Sequence, residues 1–423
     1  MNRLALVMLM VIVLLSSTKA SEKIVDATGL KTLPDYLSYA ALNNAGLKAK
    51  FEQWKAALEQ IPQSRALDDP KFTYSYFIEE VETRVGPQKN KFQLMQTFPW
   101  FGEIEARGDA ASAKANVAKQ QYQSAKLKLF QDVKAAYYEF SYLASAIDVA
   151  KENLELIQHF EEVARTKYRS SEATHPDVIR AQIELAKLED VLKSLQKFKE
   201  PTVARLNSIL NRKADAELTW PQKEKPLEVK IVRNAIIEKL VRMNPELAEL
   251  DWQRRTSQAE VQIAKKKFYP DIGIGVNWIE TGDARNPGVS DSGKDAIALM
   301  FSVNIPLWQK SYKAAERQAK ANVRKYQQKK IDIQNKKIVQ ALQIIYDIED
   351  SKRKMSLYGD VLVSKAKDLV QSSESAYRAG TIDFLSLIDA QRMLLKYQLN
   401  YDRSITDNKK SIAELETLTG EGL

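Results

Sequence analysis

Apolar and polar residues alternate along two stretches of the chain with a period of two. Phe72, Tyr74, Tyr76 and Ile78 interleave with Thr73, Ser75 and Glu79; Arg84-Val85-Gly86-Pro87 supplies a turn, and Phe92, Leu94 and Gln96 return. This spacing predicts a hairpin with strands near 71–82 and 90–98, each with one apolar face. Farther on, Ile272, Ile274, Val276 and Trp278 oppose Gly273, Gly275 and Asn277. A polar loop from Thr281 to Asp295 follows, and then Ile297, Leu299, Phe301, Val303 and Ile305 oppose Ala298, Ser302 and Asn304. A second hairpin is predicted, with strands near 271–281 and 296–305.

Each hairpin leads into a stretch of another kind. Glu103 to Tyr168 and Trp308 to Tyr377 contain no proline and almost no glycine, so each predicts a continuous helix about 100 Å long. Val133, Phe140, Ile147 and Leu154 recur every seven residues, with Tyr137 and Ala144 between them, a pattern suited to coiled-coil packing. The intervening positions carry Lys, Glu and Gln, as a solvated face would. Medium helices are predicted at 176–212 and 384–418. A shorter one covers Leu42 to Ile61 and ends at Pro62, and Asn244-Pro245 opens another that runs towards Pro270.

These elements repeat. Tyr168-Arg169 and Ala181-Gln182 recur 209 positions later as Tyr377-Arg378 and Ala390-Gln391, and Tyr137 and Lys187 fall on Tyr346 and Lys396 at the same offset. Phe98-Pro99-Trp100 has a looser counterpart in Ile305-Pro306-Leu307-Trp308. The chain therefore divides into a first repeat at 21–220, a linker at 221–243 and a second repeat at 244–423. Residues 1–20 form an expected signal peptide: Arg3 precedes an apolar run from Leu4 to Leu15, with small residues at Thr18 and Ala20.

Composition narrows the function. Glycine (14) and proline (13) are too scarce for a fold of many short elements, and the absence of cysteine excludes disulfides and thiolate metal sites. The net charge of +9 comes from lysines interleaved with acids along helices instead of clustered with aromatics, which argues against nucleic acid. His159 and His175 have no companions at ligand spacing, so no metal and no cofactor are expected. No glycine-rich phosphate loop, nucleophile elbow or pair of strand-end carboxylates is present, and the chain does not read as an enzyme.

Glu82-Thr83-Arg84-Val85-Gly86-Pro87-Gln88, Gln96-Thr97-Phe98-Pro99-Trp100-Phe101-Gly102, Asn244-Pro245-Glu246-Leu247 and Tyr269-Pro270-Asp271-Ile272 together resemble the TolC family of outer-membrane efflux proteins, over about Leu33 to Gly420. The resemblance implies a mainly α fold with a transmembrane β-barrel portion: a homotrimer whose chains each give four strands to one twelve-stranded barrel, continued by an α-helical tunnel. It also implies residence in the outer membrane of a Gram-negative bacterium, with the helical part in the periplasm. The implied function is that of the outer-membrane channel component of a tripartite efflux system. Its implied partners are outer-membrane lipid, a periplasmic adaptor (membrane fusion) protein and an inner-membrane pump of the resistance-nodulation-division type. Physical reasoning points the same way, because four strands cannot close a barrel alone and an open edge in lipid leaves backbone groups unsatisfied.

The resemblance marks two sets of site residues. Trp100 and Trp308 stand where strand passes into helix, and they fit either an aromatic anchor at the membrane interface or a buried structural corner. At the far end of the rods, Tyr168, Asp177 and Tyr377 match positions of a periplasmic gate. The family's linking arginine falls on Ile382 and its first ring aspartate on Ser386, leaving Asp389 at the second ring position. Arg378 or Arg180 is then the candidate partner of Asp177, and a weakened acidic ring is expected; ordinary solvated charge at helix ends fits the same residues. A periplasmic coiled-coil adaptor or structural protein is the rival reading, and a type I protein secretion channel is another within the family; the cargo (drug, metal ion or protein) is not encoded in any motif.

Overall fold

The computed structural model describes residues 30–421, so the expected signal peptide lies outside the described residues. The strands are β1 (Lys71–Thr83), β2 (Gly86–Phe98), β3 (Ile272–Thr281) and β4 (Ala296–Val303), paired antiparallel in the order β1-β2-β3-β4. The helices are α1 (Leu33–Asn43), α2 (Ala45–Arg65), α3 (Glu103–Arg169), α4 (His175–Lys197), α5 (Lys199–Ile209), α6 (Arg233–Met243), α7 (Pro245–Lys266), α8 (Gln309–Ser356), α9 (Val363–Arg378) and α10 (Phe384–Thr419), with a π-helical turn at Leu357–Leu362.

Every strand is joined to a long helix, and the helices keep the order of the strands. Below the sheet α2 packs on α3, α3 on α7, and α7 on α8; farther down, α4 packs on α3, α3 on α10, and α10 on α8 and α9. The result is one layer of helices continuous with one sheet. Its core is correspondingly divided into three apolar clusters. One joins α1, α2, α3 and α5 around Tyr36, Phe140 and Leu206, and its counterpart joins α6, α7, α8 and α10 around Leu240, Ile344 and Leu415. The third, at the end remote from the sheet, joins α3, α4, α9 and α10 around Phe160, Phe384 and Leu387.

A repeat equivalence that the sequence offset does not display joins the first two clusters. Asn44 caps α2 by accepting from the Leu47 amide at 2.8 Å and donates to the Ile209 carbonyl at 2.8 Å. Asn244 caps α7 by accepting from the amides of Glu246 (3.0 Å) and Leu247 (3.1 Å) and donates to the Leu418 carbonyl at 2.8 Å. Each asparagine thus ends one helix, starts the next and tethers the C-terminal helix of its own repeat. Asn44→Ala and Asn244→Ala are each expected to cost about 0.5–2 kcal/mol by loss of the cap. Asn244, only 4% exposed, should stand at the high end in thermal unfolding.

The structure departs from the predicted boundaries for local reasons. The helix predicted from Leu42 to Ile61 is interrupted at Asn44, whose extended backbone separates α1 from α2, and α2 runs through Pro62 to Arg65. Proline removes one hydrogen bond with the preceding turn, which is tolerable with a single turn remaining. The expected linker at 221–243 contains α6; Val232 offers no side-chain cap, so no start signal marks this helix. The helix expected at 176–212 divides at Phe198 into α4 and α5, because the ring of Pro201 conflicts with the carbonyl four residues earlier. The rod at 308–377 holds the π-helical turn, where a Cβ on Gly359 would lie 2.5 Å from the Tyr401 ring. Strand β2 begins at Gly86 instead of near residue 90: Thr83 pairs with Gly86 across a tight turn, and Gly86 adopts φ 131°.

The remaining inter-repeat segment lies across the layer as a strap. Trp220 stacks on Phe140 with centroids 4.8 Å apart. The Ser141 hydroxyl donates to the Gln222 carbonyl at 3.2 Å, Lys223 pairs with Asp402 at 3.2 Å, and Glu224 pairs with Lys409. These contacts fasten α3 of the first repeat to α10 of the second.

Candidate functional site

The register of the sheet aligns apolar side chains into rows that cross all four strands. Phe72, Leu94, Val276 and Leu299 form one row; Tyr74, Phe92, Trp278 and Ile297 form the next. Within the second row Tyr74 meets Phe92 at 5.2 Å and Phe92 stacks on Trp278 at 5.1 Å. This face is open: Ile78 is 90% exposed, and Ile297 and Phe301 are each 74% exposed. The opposite face of the same strands carries Thr73, Ser75, Lys91, Gln93, Asn277 and Ser302. A continuous exposed apolar face of this extent is rare on soluble monomers and marks contact with lipid or another apolar surface. Among the described residues no helix is long and apolar enough to cross a membrane. The outer edges of β1 and β4 have no neighbour strand in the single chain.

Aromatic residues gather where the strands end. Trp308 is 76% exposed, as are Leu307 and Phe101 to a similar degree. Trp100 instead lies flat on Tyr269, with ring centroids 5.0 Å apart. The two tryptophans therefore play different parts, one projecting and one packing. Phe101 meets Trp100 edge-on at 5.8 Å, and neither Phe101 nor Tyr269 belongs to the repeated motif.

At the remote end, the turns after α3 and α9 carry the tip residues. Tyr168 is exposed beside the His175 ring at 5.4 Å, whereas Tyr377 is buried against Phe384 at 5.3 Å. Burial, helped by the charge of Asp177, pushes the Tyr377 phenol up to about 12. Its hydroxyl has no hydrogen-bond partner among the described residues. Asp177 forms a capping box with Thr174, accepting from its amide at 3.1 Å and its hydroxyl at 2.8 Å, and sits 3.5 Å from Arg180. Arg378 turns elsewhere: it donates to Glu374 at 2.6 Å and lies 2.9 Å from His159 Nε2. Of the two arginines considered for Asp177, Arg180 is thus the neighbour within one chain.

Asp389 is not a bare ring acid in the single chain, because Arg392 reaches it at 3.2 Å and also grips Glu184 through Nε at 3.1 Å and Nη2 at 2.6 Å. This link from α10 to α4 escaped the sequence reading. The spacing of Asp389 and Arg392, three apart on a helix, was its visible half; Glu184 is distant in sequence. Beside it Asn153 donates to Gln398 at 2.8 Å and accepts from Gln391 at 3.1 Å.

Partial burial pushes the Glu184 carboxyl up, but hydrogen bonds from Arg392 outweigh it and hold the group below its ordinary 4.5. Glu374 is likewise held low, by His159 and Arg378 against its burial. A carboxylate with a depressed folded pKa stabilises the fold above its unfolded value and loses that contribution as pH falls through the folded one. After correction for the intrinsic pH dependence of amide exchange, protection in α4 and α9 is therefore expected to fall as pH drops below about 4.5 and to be flat above it. Arg392→Ala leaves Glu184 with Lys187 alone, 3.4 Å away, and since the Arg392 side chain is half exposed it should cost no more than about 1 kcal/mol, measured as faster exchange in α4.

The sequence pattern of the family described as Outer membrane efflux protein matches residues 36–212 and 236–421. The chain is 21% identical over 335 residues to the pyoverdine export outer membrane protein OpmQ of Pseudomonas putida, covering 76% of this chain and 68% of that protein. It is 19% identical over 386 residues to the cobalt-zinc-cadmium resistance protein CzcC of Cupriavidus metallidurans, covering 89% and 87%. Among solved structures, the outer membrane protein VceC of Vibrio cholerae superposes with a TM-score of 0.73 at 19% identity, covering 92% of this chain and 96% of that one.

Proposed function

From the premise that the chain belongs to the outer membrane efflux protein family, we propose that three copies close into one channel through the outer membrane and periplasm. The observation that carries this reading is the exposed apolar sheet face, continuous with a helical layer of the same order. Both have one free edge at β1 and α2 and another at β4 and α8. Edges of that kind are satisfied by a head-to-tail contact, and head-to-tail contacts that close generate rings. In lipid the closure is obligatory, since each unpaired backbone group costs several kcal/mol. Three chains of four strands give a twelve-stranded barrel, with the helical layers beneath it forming a tunnel.

The channel supplies the outer-membrane part of a tripartite efflux system, with a periplasmic adaptor and an inner-membrane pump, of the resistance-nodulation-division type, as its partners. OpmQ and CzcC are named for pyoverdine export and for metal resistance, and the cargo follows from the pump, since no motif in the sequence specifies it. The tip acts as the gate: Glu184 and Arg392 join α4 to α10, so opening requires breaking a link within each chain. Reconstitution tests the reading. The protein extracted from outer membranes by detergent should run as a trimer and pass ions across a planar bilayer; a water-soluble monomer without conductance would refute it.

A further inference from the structure

Two long helices leave the sheet at the same level, and their first turns carry opposite charge. Helix α3 starts with Glu103 and Glu105, as the positive end of a helix dipole favours. Helix α8 has no acid in its first turn, and Lys310, Lys313, Arg317 and Lys320 follow at alternating intervals of three and four, which places them on one flank. All four are exposed in the single chain. The other open flank of these turns carries Ala314, Gln318 and Ala321, and Ala319 is buried towards α7.

Only Lys320 of the four has an ion-pair partner among the described residues, Glu316 at 2.7 Å. Lys310 lies in the first turn, where a cation opposes the helix dipole, and Lys310, Lys313 and Arg317 have no ion-pair partner among the described residues, so an anion from outside the chain would be welcome to all three. Immediately above them Ile305, Leu307 and Trp308 are exposed by 73%, 71% and 76%. Apolar and aromatic side chains followed within two turns by cations match the profile of a lipid headgroup region.

Resting on the channel reading, we infer that the start of α8 is a binding surface for anionic phospholipid headgroups of the periplasmic leaflet. Leu307 and Trp308 enter the acyl boundary, and Lys310, Lys313 and Arg317 receive the phosphates. Those three span about 11 Å of helix, close to a Debye length at physiological salt, so all three feel the headgroup layer. Around a trimer the surface recurs three times and fixes the depth of the barrel in the bilayer.

Native mass spectrometry of the full-length trimer, with phosphatidylglycerol and phosphatidylcholine in competition, tests the inference. The wild-type protein should retain phosphatidylglycerol preferentially, the preference falling about fivefold for each charge neutralised in the series Lys310→Gln, Lys313→Gln and Arg317→Gln. High salt should erode it, and inorganic phosphate at the same concentration should not displace the lipid. Equal retention of both lipids by the wild-type trimer would overturn the proposal, whatever the variants do. So would an anion selectivity of the bilayer conductance that the triple variant abolishes while lipid retention is unchanged, because the charges would then face the tunnel. Absence of trimer and conductance in the wild-type protein itself would instead count against the channel.

Discussion

Val276→Arg is expected to cost about 2–4 kcal/mol per chain and to abolish the trimer in outer membranes, although Val276 is already 45% exposed in the single chain. The solvent that meets this side chain decides the outcome. Val276 lies mid-row between Leu94 and Leu299, at the centre of the apolar face. If that face met water, a charge there would change stability by about 0.5 kcal/mol or less, as surface substitutions do. In hydrocarbon the guanidinium must be dragged from water, and the penalty is repeated in each of three chains. The paired control is Gln93→Arg, one position along on the opposite face, which should leave trimer yield and heat resistance nearly unchanged. Trimer yield on gels without boiling reads both variants.

Phe384→Ala is expected to cost about 3–5 kcal/mol, lost mainly from the tip. Phe384 is fully buried at the start of α10 and packs edge-on to Tyr377. The cluster around it is what holds α3, α4, α9 and α10 together remote from the sheet. Truncation leaves a cavity at the turn between α9 and α10, where the nearby polar links, Arg378 to His159 on α3 and Arg392 to Glu184 on α4, lie at the surface. Exposed pairs contribute little, so hydrogen exchange should rise sharply in α9 and α10 near residues 370–395 while the sheet stays protected. Equal loosening of the sheet would show that the tip is not an independent packing unit.

The parts of this architecture visible in the chain are those written by periodicity. Alternation at Phe72 to Ile78 and at Ile297 to Ile305 can be satisfied only by strands with one apolar face, and rods of nearly seventy residues without proline and with a single glycine each have no other use than as long helices. What periodicity does not encode is where a helix pauses. Asn44 and Asn244 each end one helix, cap the next with the side-chain oxygen and donate from the amide nitrogen to a carbonyl far away in sequence, so the break depends in part on a contact formed only on folding. Pro201 did announce its break; the run of helix-forming residues around it hid the signal. Helix α6 was obscured by a start with no capping side chain.

The candidate site was legible in kind more than in partner. Tyr168, Asp177, Tyr377, Arg378 and Asp389 all lie at one end of the molecule, yet the structure assigns them unlike roles: a cap in Asp177, a buried phenol in Tyr377, an exposed ring in Tyr168. A side chain with several arginines in reach chooses by geometry, and Arg180 wins at Asp177 because it is one helical turn away. Arg392 joins residues 208 positions apart, a separation at which sequence spacing carries no distance information. The two tryptophans show the same limit, since equivalent placement in the repeats did not give them equal exposure.

A channel of this kind requires that the apolar face of the sheet be in contact with acyl chains. A variant keeping Trp278 alone of the six tryptophans, reconstituted as the trimer into vesicles of brominated phospholipid, measures this by fluorescence. Strong quenching by bromine on the chains, with little quenching by an aqueous ion, is the expected result. Quenching by the ion and indifference to the brominated lipid would place Trp278 in water and contradict the channel.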